Sequence, residues 1–145
     1  MAKVTAVSPL APESFPGLAK VEGAELFTAS IGEGYHGRAN LFVARMVPGT
    51  TVAGVLTKSK CPSAPIDWCK QNLVAGSARA LVVNAGNANA FVGKVGAQTV
   101  QKTADAAAEL LHCEPGEVFI SSTGVIGEPL DAKPLVAALA QSLKQ

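Results

Sequence analysis

Serine, threonine and glycine cluster in the stretch Phe119-Ile120-Ser121-Ser122-Thr123-Gly124-Val125-Ile126-Gly127-Glu128-Pro129. Such residues, gathered where a strand ends and a helix is about to start, leave backbone N–H groups free to hold a negatively charged oxygen. Acyl transfer needs donors of this kind, aimed at the oxygen of a tetrahedral intermediate, each worth about 3 kcal/mol. The Thr123 hydroxyl and the Gly124 N–H are the candidate pair, because glycine allows close approach. An ordinary strand-to-helix connection has the same composition, and these residues alone leave that alternative open.

A nucleophile is harder to find. Ser121 and Ser122 have no base near them in sequence, and neither His36 nor His112 accompanies a Gly-x-Ser-x-Gly elbow. Two other segments expected to follow strands, Lys58–Ala64 and Asn84–Ala90, belong in the same search, since open α/β sheets bind ligands beyond the carboxyl ends of their strands. The second is rich in asparagine and glycine, which tolerate left-handed backbone, so it reads as a shaped loop. It is not a phosphate loop: six residues separate Gly86 from Gly93, and Val95 follows Lys94 where a Walker motif needs Ser or Thr. A dinucleotide fingerprint is absent as well.

The cysteines are Cys61, Cys69 and Cys113. Their odd number and wide spacing give no disulfide framework, and without a Cys-x-x-Cys pair they give no zinc site. They read as free thiols in a reducing compartment. Neither a metal nor a cofactor is expected. Net charge is +1 with no basic run, which argues against nucleic acid. No apolar run approaches membrane-spanning length, and Met1–Ser8 lacks the apolar core of a signal peptide, so the expected address is cytoplasmic.

These residues must be held by a framework. A chain of 145 residues sets a prior of one domain. Proline and glycine at Pro9, Pro12, Pro16 and Gly17 mark residues 1–17 as an irregular arm ahead of a single α/β domain over 18–145. β-Prone pieces such as Leu26-Phe27-Thr28 come first. Gly32-Glu33-Gly34-Tyr35-His36-Gly37 then punctuates. Asn40–Val47 reads as a buried strand, Pro48-Gly49 as a turn, and Thr51–Thr57 as its antiparallel neighbour. Pro62 and Pro65 open a helix to about Ala75, with Ser63 as cap and Gly76 at the stop. Ile66, Cys69 and Leu73 form its apolar face. Ala78–Val83 is the next strand. Within 93–112, Val100, Ala104, Ala107 and Leu111 fall on one helical face. Glu117–Ser121 is a strand. Asp131 caps a last helix to about Leu143, with Leu130 and Leu135 placed as a hydrophobic staple. The predicted class is α/β: a mixed sheet layered with helices. Charged residues make up only 16% of the chain, so part of its surface is expected to be an interface.

Three blocks resemble the N-terminal part of the ornithine acetyltransferase, or glutamate N-acetyltransferase, family of arginine biosynthesis. They are Thr51-Val52-Ala53-Gly54-Val55-Leu56-Thr57 continuing to Cys61–Ile66, Ala80–Ala90 with its Gly86-Asn87-Ala88-Asn89-Ala90, and Ser122–Leu130. The resemblance runs from about residue 12 to the end. It implies a precursor that cleaves itself before a threonine, and an α-β-β-α sandwich completed by the resulting β chain. It also implies an acetyl-threonine intermediate on that β chain, with acetyl moving from N2-acetylornithine to glutamate, and a heterotetramer of two α and two β chains. By motif, Thr123 and Gly124 match the oxyanion-hole pair. Acetyl-CoA as an alternative acetyl donor is left open. Two other readings also stay open: a related N-terminal-nucleophile aminopeptidase, and a non-catalytic small-molecule-binding domain.

The chain departs from the family at Asn40, where Asp is frequent, and at Phe91-Val92-Gly93, where Cys-Thr-Gly is more usual. Its start, Glu13-Ser14-Phe15-Pro16, fits only loosely. No Ala-Thr-Met-Leu cleavage context precedes Gln145, so the expectation is part of an α chain that is inactive alone.

Overall fold

The computed structural model describes residues 7–32 and 38–143. His36 and most of the glycine-rich punctuation around it lie outside those residues, as do Met1–Ala6 of the N-terminal arm.

Four strands form one sheet: β1 (Ala24–Ala29), β2 (Leu41–Met46), β3 (Ala80–Asn87) and β4 (Val118–Val125), in that spatial order. β1 and β3 both pair antiparallel with β2, while β3 and β4 run parallel. The sheet is therefore mixed, and with the three α-helices found among the described residues the fold is α/β, as expected from the order of elements.

Alternation along the strands sorts the side chains onto two faces. Leu41, Val43, Ala80, Val82, Val118 and Ile120 face one side and are buried. Two helices cover them: α2 (Gly93–Leu111), through Val100, Ala104, Ala107 and Leu111, and α3 (Ala132–Leu143), through Leu135 and Leu139. The face read from the 3.6-residue period of α2 is thus the buried one. The Asp131 carboxylate accepts the Lys133 N–H at 3.0 Å and caps α3, and Leu130 and Leu135 both pack into this core.

The opposite face is only partly covered. Helix α1 (Ala64–Asn72) packs Cys69 against Phe119 and Leu81 there. It also lies along the free edge of β4. The Trp68 indole donates to the Val118 carbonyl at 2.8 Å, and the Cys69 thiol donates to the Ile120 carbonyl at 3.3 Å. A helix that occupies carbonyls in this way blunts a sheet edge. Beyond α1, Leu26 is 67% exposed, and Phe42, Ala44 and Val83 are only half-buried.

Two expectations are corrected. Thr51–Thr57 forms no strand beside β2. Only Thr51 makes a bridge, to Ser77, and Val55 is almost fully exposed. Both edges of β2 are already taken by β1 and β3, so no ladder is left to join. The helix opened by Pro65 also ends earlier than expected. α1 stops at Asn72, and a 3-10 turn over Leu73–Ala75 carries the chain to Gly76, whose φ of 70° fits a helix stop.

Candidate active site

β3 and β4 both extend beyond their apolar stretches. Asn84–Asn87 belongs to β3, and Ser122–Val125 belongs to β4. The expectation of loops beginning at Asn84 and Ser122 is therefore corrected. So is the placement of Thr123 and Gly124 in a strand-to-helix turn, because α3 starts only at Ala132. Small polar residues with weak strand propensity stay extended here because each segment is the other's partner. Thr123 lies opposite Ala85, and Gly124 opposite Gly86, with a bulge at Gly86-Asn87.

The two polar ends are tied together by hydrogen bonds. The Ser122 hydroxyl and the Asn84 side-chain oxygen lie 2.6 Å apart, with Ser122 donating. The buried Asn84 amide donates to the Asn87 carbonyl at 2.9 Å, which holds the bulge. Asn87 in turn donates through its side chain to the Glu128 carbonyl at 2.9 Å. Backbone bonds continue the seam: Ala88 N–H to Val125 O at 2.8 Å, and Gly127 N–H to Ala90 O at 2.9 Å. The third segment joins at the same end, for the Ala64 N–H that begins α1 donates to the Asn89 carbonyl at 3.2 Å. All three segments singled out in the sequence therefore converge.

Gly124 is required sterically. Its φ is +132°, and a Cβ built on it would lie 2.3 Å from the Gly86 carbonyl carbon. Val118 and Ile120 turn their carbonyls away from β3, toward α1.

Thr123 is exposed. Ser122 points to the α2–α3 face, where it meets Asn84, so alternation sends Thr123 to the opposite, partly open face. A hydroxyl and an N–H from consecutive residues thus stand at the accessible end of β4. Both residues carry a hydrogen-bond donor at an exposed position.

Among the described residues, no three His, Cys, Asp or Glu side chains come together to hold a metal ion. Of the cysteines, Cys69 is buried, and burial pushes its thiol pKa up against the smaller opposing effect of its bond to Ile120. Cys113 is raised as well, first by burial and then by Glu117. Neither is an activated nucleophile. Asn40 is buried, and its side-chain oxygen accepts the Ile31 N–H at 2.8 Å. An aspartate could accept the same bond, so this departure preserves the contact.

Sequence reasoning missed the structural work of Asn84, Asn87 and Asn89. It read the asparagines as tolerant of left-handed backbone, which Asn89 does adopt at φ 48°. The signal for the rest was relational: glycines at 86 and 124, each followed closely by residues able to tie the opposing strand.

Comparison with known proteins places the chain in a family. The model of the ArgJ family matches residues 26–145. The arginine biosynthesis bifunctional protein ArgJ of Mesorhizobium japonicum is 56% identical over 127 residues, which are 88% of this chain and 31% of that protein. The protein of the same name from Gluconobacter oxydans is 51% identical over 139 residues, 96% of this chain and 32% of that protein. The chain thus spans about a third of the length of these curated relatives. The crystal structure of Mycobacterium tuberculosis ornithine acetyltransferase complexed with ornithine superposes with a TM-score of 0.81 at 31% identity, over 86% of this chain and 67% of that one. The ArgJ structure from Bacillus halodurans gives 0.75 at 27% identity, over 83% and 63%. Sequence and fold point the same way across nearly all of these residues, and the chain belongs to the ArgJ family.

Proposed function

We propose that this chain is the oxyanion-stabilising part of an acetyltransferase of arginine biosynthesis, one that moves acetyl from N2-acetylornithine to glutamate. The observation that carries the reading is the placement of Thr123 and Gly124 side by side at the exposed end of β4, one offering a hydroxyl and the next an N–H.

In this reading a threonine hydroxyl, supplied by a β chain cleaved from the same precursor, attacks the acetyl carbonyl of N2-acetylornithine. The carbonyl π pair moves onto oxygen, which accepts hydrogen bonds from Thr123 and Gly124. Collapse breaks the C–N bond, the leaving amine takes a proton, and ornithine departs from an acetyl-threonine. The α-amine of glutamate then attacks that ester. The same two donors hold the second oxyanion, and the threonine leaves with a proton. Donors fixed before the charge develops need no reorganisation at the moment of reaction, which is the source of their catalytic value.

The open sheet face supports the need for a second chain. Leu26, Phe42, Ala44 and Val83 leave apolar surface there, and a second sheet laid over it would complete an α-β-β-α sandwich. Thr123 projects from that same face, so a nucleophile carried on the covering sheet would arrive on the correct side. We assign the assembly as a heterotetramer of two α and two β chains, acting in the cytoplasm and inactive without the β chain. Acetyl-CoA remains an alternative donor for the first half-reaction. The test is expression of this chain with the segment that follows it in its relatives, assayed for acetyl transfer from N2-acetylornithine to glutamate. Transfer supports the proposal, and peptide hydrolysis without transfer overturns it.

A further inference from the structure

The side chains that β3 and β4 send toward α2 and α3 change character in step. Ala80 and Val82 on β3, and Val118 and Ile120 on β4, are buried and apolar. The next residues on that face are Asn84 and Ser122, which stand opposite each other in the parallel register. Asn84 is 2% exposed. Apolar side chains at both positions would extend the core and need no partner, so core packing alone does not explain a polar pair there.

Both polar atoms of Asn84 are committed. Its Oδ1 accepts the hydroxyl of Ser122, the residue before Thr123, at 2.6 Å. Its amide donates to the Asn87 carbonyl at 2.9 Å, within the bulge that Gly124 approaches. On the other side of the pair, Val125 accepts the Ala88 N–H at 2.8 Å, and the Glu128 carbonyl accepts the Asn87 side chain at 2.9 Å. Thr123 and Gly124 are thus bracketed by ties to β3 and the residues just after it. The Asn84–Ser122 bond differs from the rest in what it selects. A slip of two residues would keep every side chain of β4 on its own face, and the apolar positions would still meet apolar partners. The same slip would set Ser122 opposite Val82 or Gly86 and leave the buried Asn84 oxygen without a donor, which is unfavourable. The polar pair therefore pins the register that the apolar pairs leave open.

We propose that Asn84 and Ser122 are positioning residues for acetyl transfer, holding Thr123 and Gly124 at their place against β3. Neither touches the reacting atoms. The inference rests on the assignment of Thr123 and Gly124 as the oxyanion donors, and it adds that their effect depends on a buried pair on the other face of the sheet. A misplacement of about 1 Å at a reacting centre can cost on the order of a hundredfold in rate, so a loosened register is read in kcat.

The experiment measures steady-state kinetics of the chain co-expressed with its following segment, with N2-acetylornithine and glutamate, at a temperature where circular dichroism shows each variant folded. Ser122→Ala should lower kcat about tenfold and leave KM within about twofold. Ser122→Thr keeps a hydroxyl and should retain most of the parent kcat. Asn84→Ala should lower kcat at least as far as Ser122→Ala, and should it fail to fold, the Ser122 series carries the test. In a Thr123→Ala background, Ser122→Ala should lower kcat by a smaller factor than in the parent, because one of the donors it positions is already gone. An unchanged kcat in Ser122→Ala beside a lowered kcat in Thr123→Ala overturns this inference and leaves the oxyanion assignment standing. Equal factors in the two backgrounds, a loss carried by KM, or no recovery in Ser122→Thr also overturn it. An unchanged kcat in Thr123→Ala overturns the oxyanion assignment, and the positioning role with it.

Discussion

Gly124 and Gly86 face each other across the parallel pair β3–β4 so closely that a Cβ on Gly124 would lie 2.3 Å from the Gly86 carbonyl carbon and 2.5 Å from its oxygen. The obstacle is backbone, so no side-chain rearrangement can relieve it. The contact sets how closely the ends of β3 and β4 approach each other.

Gly124→Ala should therefore destabilise the protein by ~3 kcal/mol or more, the sum of overpacking and an unfavourable positive φ. Gly127→Ala is the control. Its φ is +84°, but nothing lies within 4 Å of an added Cβ, so it should lose only about 1 kcal/mol of backbone preference. Urea unfolding of both variants measures the difference, and equal losses would contradict the close-approach account.

Ser122→Ala should cost ~1–2 kcal/mol, because it leaves the buried Asn84 side-chain oxygen without the donor it has at 2.6 Å. The loss should appear in denaturant midpoint without a change in slope. An unchanged midpoint would mean that the pair contributes nothing to stability.

These two pairs also show what the sequence could and could not reveal. β2, α2 and α3 were legible because their apolar residues repeat at the period of the element itself, as in Val100, Ala104, Ala107 and Leu111. Thr51–Thr57 misled because a β-branched run signals strand propensity but not whether a sheet edge is free for it. Asn84–Asn87 and Ser122–Val125 look like loops taken singly. They are strands because of each other, and pairing across some forty residues leaves no local periodicity to read. At the site, residue types suggested oxygen-binding donors at Thr123 and Gly124, while the family resemblance named their role. The close approach of Gly124 to Gly86 came only from the structure.

Trp68→Phe should keep the packing of the ring but lose the indole bond to the Val118 carbonyl at 2.8 Å. A loss of ~1 kcal/mol follows. With a β4 carbonyl uncovered at the sheet edge, the variant should also aggregate faster near its midpoint, as light scattering would detect.

Cys69 gives a pH dependence. Burial raises its thiol pKa above the ordinary 9.0. The folded state holds the proton over a range in which the unfolded chain has already released it. That stability is complete below pH 9.0 and is lost as pH rises through the folded value. Stability measured from pH 7 upward should thus fall more steeply above pH 9 in the parent protein than in Cys69→Ala. At neutral pH, a thiol reagent should modify exposed Cys61 first and Cys69 only with unfolding.

The central claim is that Thr123 and Gly124 stabilise the oxyanion of acetyl transfer. Its most direct test is the steady-state kinetics of Thr123→Ala in the chain co-expressed with its following segment, with N2-acetylornithine and glutamate as substrates. Thr123 is exposed, so the substitution leaves the fold in place. The account predicts a kcat lowered by about ten- to a thousandfold with little change in KM, and partial recovery in Thr123→Ser. An unchanged kcat in Thr123→Ala would contradict it.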